Sequence, residues 1–208
     1  MVLPPLGLVV QGETKPSYTD LYYFYKIFQF TFKVTALFIT LMEKNDNKKQ
    51  PGKYTVIALT GLLTSTLDAV AAVISAHKMP AATVFKFIAS GVFGKAAFDG
   101  GFEMVGAGIF FHYSIAFSIT AVLFVMYPMF ISFLKNKYVV AVMFALIPWV
   151  ITHLMIVPLS RIGWSPMEVG GIVIGIGILI ITIGLPIALI ADWYFFRSIK
   201  KTTGTTAM

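Results

Sequence analysis

Four stretches of this chain stay apolar for longer than a soluble core requires, and that limits the fold more than any other feature. Hydrocarbon offers a backbone no water to bond with. About 20 consecutive apolar residues must therefore close their own hydrogen bonds as a helix. The first stretch runs from about Tyr54 to Ala76, and the second from about Glu103 to Tyr127, stopping at Pro128. The third occupies about Tyr138 to Pro158. The fourth starts near Ser165 and Pro166, a good N-cap and N1 pair, and ends around Trp193. Tyr127, Tyr138, Trp164, Trp193 and Tyr194 fall at the predicted interfaces, where amphipathic rings settle. The expected fold is all-α: an integral membrane four-helix bundle over residues 54–194, followed by a cytoplasmic tail at 195–208.

Composition agrees with this. Hydrophobic residues make up 58% and charged residues 12% of the chain, against roughly 25% charged in soluble domains. Cysteine is absent, which excludes disulfides, thiolate metal sites and a cysteine nucleophile. The net charge of +7 does not point to nucleic acid, because the basic residues flank the apolar runs instead of lining one face. That placement suits topology signals and anionic lipid headgroups, so the lipid bilayer is the expected partner. Lys44, Lys48, Lys49 and Lys53 precede the first span, Lys135 and Lys137 fill the second connection, and Arg197, Lys200 and Lys201 follow the fourth. The other side receives Lys78, Lys86, Lys95 and Arg161. Both ends of the four-span bundle are thus expected in the cytoplasm of a multi-pass membrane protein.

Two segments fit neither loop nor span. Pro80 to Phe98 sets Val84, Phe85, Ile88, Val92 and Phe93 on one side of a helical pattern, with Lys86, Ser90 and Lys95 largely on the other. This predicts a short interfacial or re-entrant helix on the outer side, the surface-lying form preferred. Residues 1–53 form an N-terminal extension. Within it Leu21 to Leu41 is crowded with Phe, Tyr, Ile and Lys, and Lys26 and Lys33 share one helical face, as in an interfacial amphipathic helix. An alternative start at Met42 is equally compatible, making residues 1–41 an upstream extension. N-terminal sequencing of native protein separates the two, since peptides beginning before Met42 rule the extension out.

Ionisable groups inside a span are costly and therefore functional candidates. Three qualify: Asp68, His112 and His153. At the helical rise they lie about 12, 13 and 8 Å from the outer ends of their helices. All three belong to the outer part of the bilayer. Gly61, Thr64, Ser65, Ala71, Ala72 and Ser75 share a small, polar stripe with Asp68, and Gly108, Ala116 and Thr120 do so with His112. Such stripes face other helices, which turns both groups into the bundle. His153 shares its face with Trp149, Ile156 and Ser160. Gly171 and Gly175 form a G-x-x-x-G packing pattern in the fourth span, while Pro148 and Pro186 are expected to kink their helices, each freeing a carbonyl. His77, beside Lys78, reads as a solvated interface residue.

Several chemistries suit these residues. Asp with two His matches the ligand types of an iron or zinc triad, although not the spacing of a known motif, and the two His would suit haem. A proton or ion relay through Asp68 and His112 ranks above both. A buried Asp–His hydrogen bond that merely fixes helix register ranks first. No catalytic residue and no cofactor are assigned, and the metal question is left open.

Phe87-Ile-Ala-Ser-Gly-Val-Phe-Gly94 followed by Ala97-Phe-Asp-Gly-Gly101 resembles a group of small bacterial four-helix inner-membrane proteins, loosely similar to the YagU-like proteins, for which no activity is established. Thr66-Leu-Asp68, Phe111-His-Tyr-Ser-Ile-Ala-Phe117, Val157-Pro-Leu-Ser160 and Gly184-Leu-Pro-Ile-Ala188 continue the likeness. It covers about Tyr54 to Trp193 and implies a bacterial inner membrane. Relatives are expected to carry asparagine where this chain has His153, which puts a role for that residue in doubt. The leading expectation is a small transporter-like or channel-like protein with a buried Asp68/His112 pair. Its competitors are a non-catalytic accessory subunit, self-associated or bound to a membrane-complex partner, and a metal- or haem-binding oxidoreductase.

Overall fold

The structure, a computed structural model, describes residues 18–44, 52–159, 161 and 169–204, and every element in it is helical. Helix α1 spans Tyr18–Lys44, α2 Lys53–Ser75, α3 Ala81–Phe93, α4 Ala96–Asp99 and α5 Phe102–Leu134. Helix α6 (Lys137–Val150) continues through a π-helical turn, π1 (Ile151–Ile156), into α7 (Val157–Leu159). Helix α8 (Val169–Leu179) likewise continues through π2 (Ile180–Gly184) into α9 (Leu185–Gly204). The N-cap and N1 roles assigned to Ser165 and Pro166 lie outside the described residues.

Among the described residues five helices are long and apolar enough to cross a bilayer, one more than the four expected. The addition is α1, which packs along α2 and the α8–π2 helix and does not stand apart as a surface helix. Ile27 is buried against Ala71 and Ile181, and Tyr23 stacks on His77 with ring centroids 4.7 Å apart. His77 is exposed, as a solvated residue would be, with one ring face covered by Tyr23. Along α1 the buried positions Ile27, Thr31 and Thr35 follow one another at intervals of four, one helical stripe set against the bundle. The aromatics of the same segment, Phe28, Phe30 and Phe32, are exposed in the isolated chain, as lipid-facing residues would be. Lysines spaced along the helix hid this pattern in the sequence.

A second correction concerns Pro128, which does not end the second span. Helix α5 runs on for 33 residues in all, about 50 Å at the helical rise, longer than the ~30 Å hydrocarbon core. A proline removes one ladder bond, but in apolar surroundings the flanking backbone has no better partner than the helix itself. The helix ends instead at Lys135, in the left-handed region at φ 55°. Asn136 then caps α6, its side chain accepting the Tyr138 N–H at 2.9 Å. At the other end of α5 the Glu103 carboxylate accepts the Gly101 N–H.

Prolines also explain the π turns. In both, the residue just before a proline donates its N–H five residues back: Val157 to Thr152 and Leu185 to Ile180. The widened turn gives the rings of Pro158 and Pro186 room beside the carbonyls they would otherwise strike. Pro148 instead lies within regular α-helix.

Helix packing depends on glycine at two places. A Cβ on Gly108 would lie 1.9 Å from the carbonyl oxygen of Phe85, where α3 meets α5. One on Gly184 would lie 2.1 Å from the Ala141 carbonyl oxygen, where π2 meets α6. Helix α3 ends at Gly94, φ 64°, where the Arg161 side chain lies against it and the Arg161 N–H donates to Gly91. Helix α3 is therefore clamped between α5 and the turn after α7. Whether it lies flat or dips inward, Val84, Ala89 and Ser90 are buried.

Gly184→Ala and Gly108→Ala are expected to destabilise the purified protein by about 1–3 kcal/mol each, as overpacking does. Gly106→Ala, whose Cβ meets nothing within 4 Å, should leave thermal stability equal or higher. Melting of the three variants in one detergent checks this.

Candidate functional site

The bundle is divided along its length. In one half, Val56, Leu123, Phe124, Tyr127, Val140, Phe144, Ile187 and Ile190 form a fully buried apolar plug between α2, α5, α6 and α9. Phe144 meets Phe130 edge-on at 5.2 Å, and Phe195 stacks on Tyr127 at 6.2 Å. Toward the α2 C-terminus the interior turns polar. Thr64 and Thr120 hydroxyls bond each other across α2 and α5 at 2.9 Å. Gly61 admits the Phe117 ring to the space a Cβ would take. Thr60, Thr64, Ser65 and Thr120 are all fully buried.

Asp68 stands one turn beyond Thr64 and Ser65, half-buried. Its Oδ1 accepts the Thr182 hydroxyl at 3.1 Å, while that hydroxyl also lies 2.9 Å from the Ile178 carbonyl. Thr182 belongs to π2, so the widened turn before Pro186 carries the partner of the membrane carboxylate. Asp68 Oδ2 accepts no hydrogen bond among the described residues. No direct hydrogen bond joins His112 to Asp68 among the described residues; each bonds a different partner. Its Nε2 lies 3.0 Å from the Ser65 carbonyl, which can only accept, so Nε2 carries the hydrogen and Nδ1 is left to accept one. The pair expected from the stripes is thus joined through α2: His112 holds the backbone three residues before Asp68. Next door, the Thr66 hydroxyl and Tyr113 phenol lie 3.0 Å apart.

His153 is elsewhere. It lies in π1, stacked on Trp149 at 4.9 Å, with Nδ1 donating to the Trp149 carbonyl at 3.0 Å. Among the described residues no three His, Asp or Glu side chains converge as a metal set. Asp68, His112 and His153 do not assemble into the triad their residue types suggested. The stacked, hydrogen-bonded His153 has a packing role on its own helix. Of the Gly171 and Gly175 pair in the fourth span, Gly175 lies near Trp149; Gly177, outside that pair, meets the Phe24 ring of α1 at 3.0 Å from its Cβ position.

Sequence reading missed a second polar cluster. Tyr127 donates to Asp192 Oδ1 at 2.7 Å, and Lys137 lies 3.4 Å from Oδ2, tying α5, α6 and α9 together beside the apolar plug. Asp192 sits next to Trp193, where the fourth span was expected to end, so it did not register as a buried group. The sign was its place one turn past Ala188, on the buried face of α9.

No family model, curated protein or solved structure matches the chain.

Tyr127→Phe should cost about 1.5–3 kcal/mol, because it leaves a partly buried carboxylate without its neutral donor. Lys137→Gln should cost less than about 1 kcal/mol, since the lysine side chain is 38% exposed and exposed ion pairs contribute little. Denaturation midpoints of the two variants test the order.

Proposed function

We propose that this chain is a small transporter-like or channel-like membrane protein in which Asp68 and His112 take up and release a proton from the outer side. One observation carries the reading. A carboxylate and an imidazole sit inside a helix bundle, each with one hydrogen bond to the protein and one atom left free: Oδ2 of Asp68 and Nδ1 of His112. Both side chains are only half-buried and neither atom is sealed in the interior, so both stay open to proton exchange. The buried hydroxyls of Ser65, Thr64 and Thr120 extend from the pair toward the apolar plug, which closes the path until the helices move.

An accessory subunit remains the competing class, but it gains no specific observation. Of the Gly171 and Gly175 face invoked for a partner, Gly175 lies near Trp149 of the same chain.

The setting belongs to the same proposal. The lysines at 44–53, at 135–137 and after Arg197 mark one side as cytoplasmic, and the likeness to small bacterial inner-membrane proteins supplies the membrane. If α1 crosses as a fifth span, the chain begins outside and ends inside. The absence of native cysteine makes this simple to test. In intact cells, Ser17→Cys should react with an impermeant maleimide, and Thr205→Cys should react only after permeabilisation. Protection of both positions places α1 on the inner surface.

For the activity, proteoliposomes in sodium salt should dissipate an imposed pH gradient with the wild-type protein. Asp68→Asn should reduce that flux at least tenfold while eluting as a normal, monodisperse species. Normal flux at normal abundance eliminates the relay.

A further inference from the structure

Around Asp68 the protein gathers more oxygen than its hydrogen bonds use. Ser65 precedes Asp68 by three residues and so shares its helix face. Its hydroxyl is fully buried with no partner among the described residues. The hydroxyl of Thr31, on α1, is in the same condition. Its level follows from two antiparallel contacts, Tyr23 on His77 and Ile27 against Ala71. Four residues on from Ile27, Thr31 continues the same buried stripe of α1. On the third helix Thr182 bonds the carboxylate itself. Pro186 has no N–H to give back, so a carbonyl in the Ile181–Thr182 turn loses its ladder partner. The three mutually packed helices α1, α2 and π2 thus each bring oxygen donors to this part of the bundle.

We propose that Asp68 is the charged ligand of a monovalent cation site of sodium size, completed by oxygens of Ser65, Thr31 and the Thr182 turn. The assignment rests on the relay reading and names what is exchanged against the proton. Charge selects the valence: a single carboxylate balances one positive charge in a low-dielectric interior, whereas calcium sites recruit several. Donor type selects the class, since carboxylate, hydroxyl and carbonyl oxygens suit hard cations and no thiolate exists in the chain. The helix interrupted by π2 and Pro186 provides a backbone carbonyl at depth, a feature that cation-coupled membrane sites use. His112 on α5 bonds the Ser65 carbonyl beside the site. The helix faces that α1 and π2 turn toward the bundle carry Thr31 and Thr182.

The test uses the full chain purified in detergent, in chloride salts of sodium, lithium, potassium and N-methylglucamine at fixed ionic strength. Sodium should raise the melting temperature saturably over N-methylglucamine, with lithium closer to sodium than potassium is. Ser65→Ala should weaken half-saturation about tenfold, the effect of losing one hydroxyl ligand, and Asp68→Asn should abolish the shift. Should Asp68→Asn not fold, equilibrium binding of radioactive sodium to wild type and Ser65→Ala supplies the same comparison. No sodium-specific shift, or a shift unchanged in Ser65→Ala and Asp68→Asn, overturns the site and leaves the hydroxyls to bind water. Asp68-dependent proton flux that ignores sodium overturns the cation assignment while the relay stands. Sodium binding without any proton flux overturns the relay and, with it, the exchange.

Discussion

Where Gly184 passes Ala141, the helix backbones approach so closely that a Cβ would lie 2.1 Å from a carbonyl oxygen. In lipid there is no apolar gain in burying one helix on another, so association comes from van der Waals contact and hydrogen bonds. Close backbone approach maximises the first and fixes the geometry of the second. Gly184 ends π2, with Thr182 two residues before it and Asp192 two turns beyond. The spacing set at this point thus positions both polar clusters, one on each side of the apolar plug. Gly108 against Phe85 does the corresponding work at the other end of the bundle, holding α3 to α5 one turn from His112.

The plug and the two clusters divide the labour. Phe124, Phe144, Leu123 and Ile187 are essentially inaccessible and make a dry seal. Dryness strengthens the Tyr127–Asp192 bond beside them, because a polar pair gains from a low local dielectric when both partners are satisfied. The cluster around Asp68 is mixed: the Thr64, Thr120 and Thr182 hydroxyls are bonded, while those of Thr31, Thr60 and Ser65 are buried with no partner among the described residues. A protein assembled for rigidity alone would have apolar residues at Thr31, Thr60 and Ser65. Threonine and serine there make sense as standby ligands or as steps in a hydrogen-bonded path.

Most of the helical plan was legible in residue order. The bounds of α2 and of the α6–α7 helix follow from run length and flanking charge, because a bilayer demands uninterrupted apolar sequence. The inward faces of Gly61, Thr64, Ser65 and of Gly108, Ala116, Thr120 followed from small-residue spacing, and those positions are buried. What could not be read was anything set by a neighbour. Helix α1 looks amphipathic because Lys26 and Lys33 interrupt it, and its buried stripe becomes visible only against Ala71 and Ile181. Pro128 reads as a stop because residue order does not report that the flanking backbone lacks an alternative partner. His153 shares chemistry with His112 but sits among its own helix's groups, and depth alone could not separate them. Asp192 was hidden by its nearness to the interface.

The prolines connect these points. Proline is usually read as a breaker, yet four of them lie within or between helical turns here, and only two coincide with widened geometry. Pro158 and Pro186 each follow a turn in which the preceding residue reaches five back. That arrangement turns a lost hydrogen bond into a local change of facing, since the extra residue rotates the side chains within the turn relative to a regular helix. At π1 the rotated turn contains His153, which bonds inward to Trp149. At π2 it contains Thr182, which reaches across to Asp68. The same backbone device therefore yields a self-contained packing turn in one helix and an inter-helical polar contact in the other. What differs is the neighbour: α2 presents a carboxylate to π2, while the His153 turn finds its partner on its own helix.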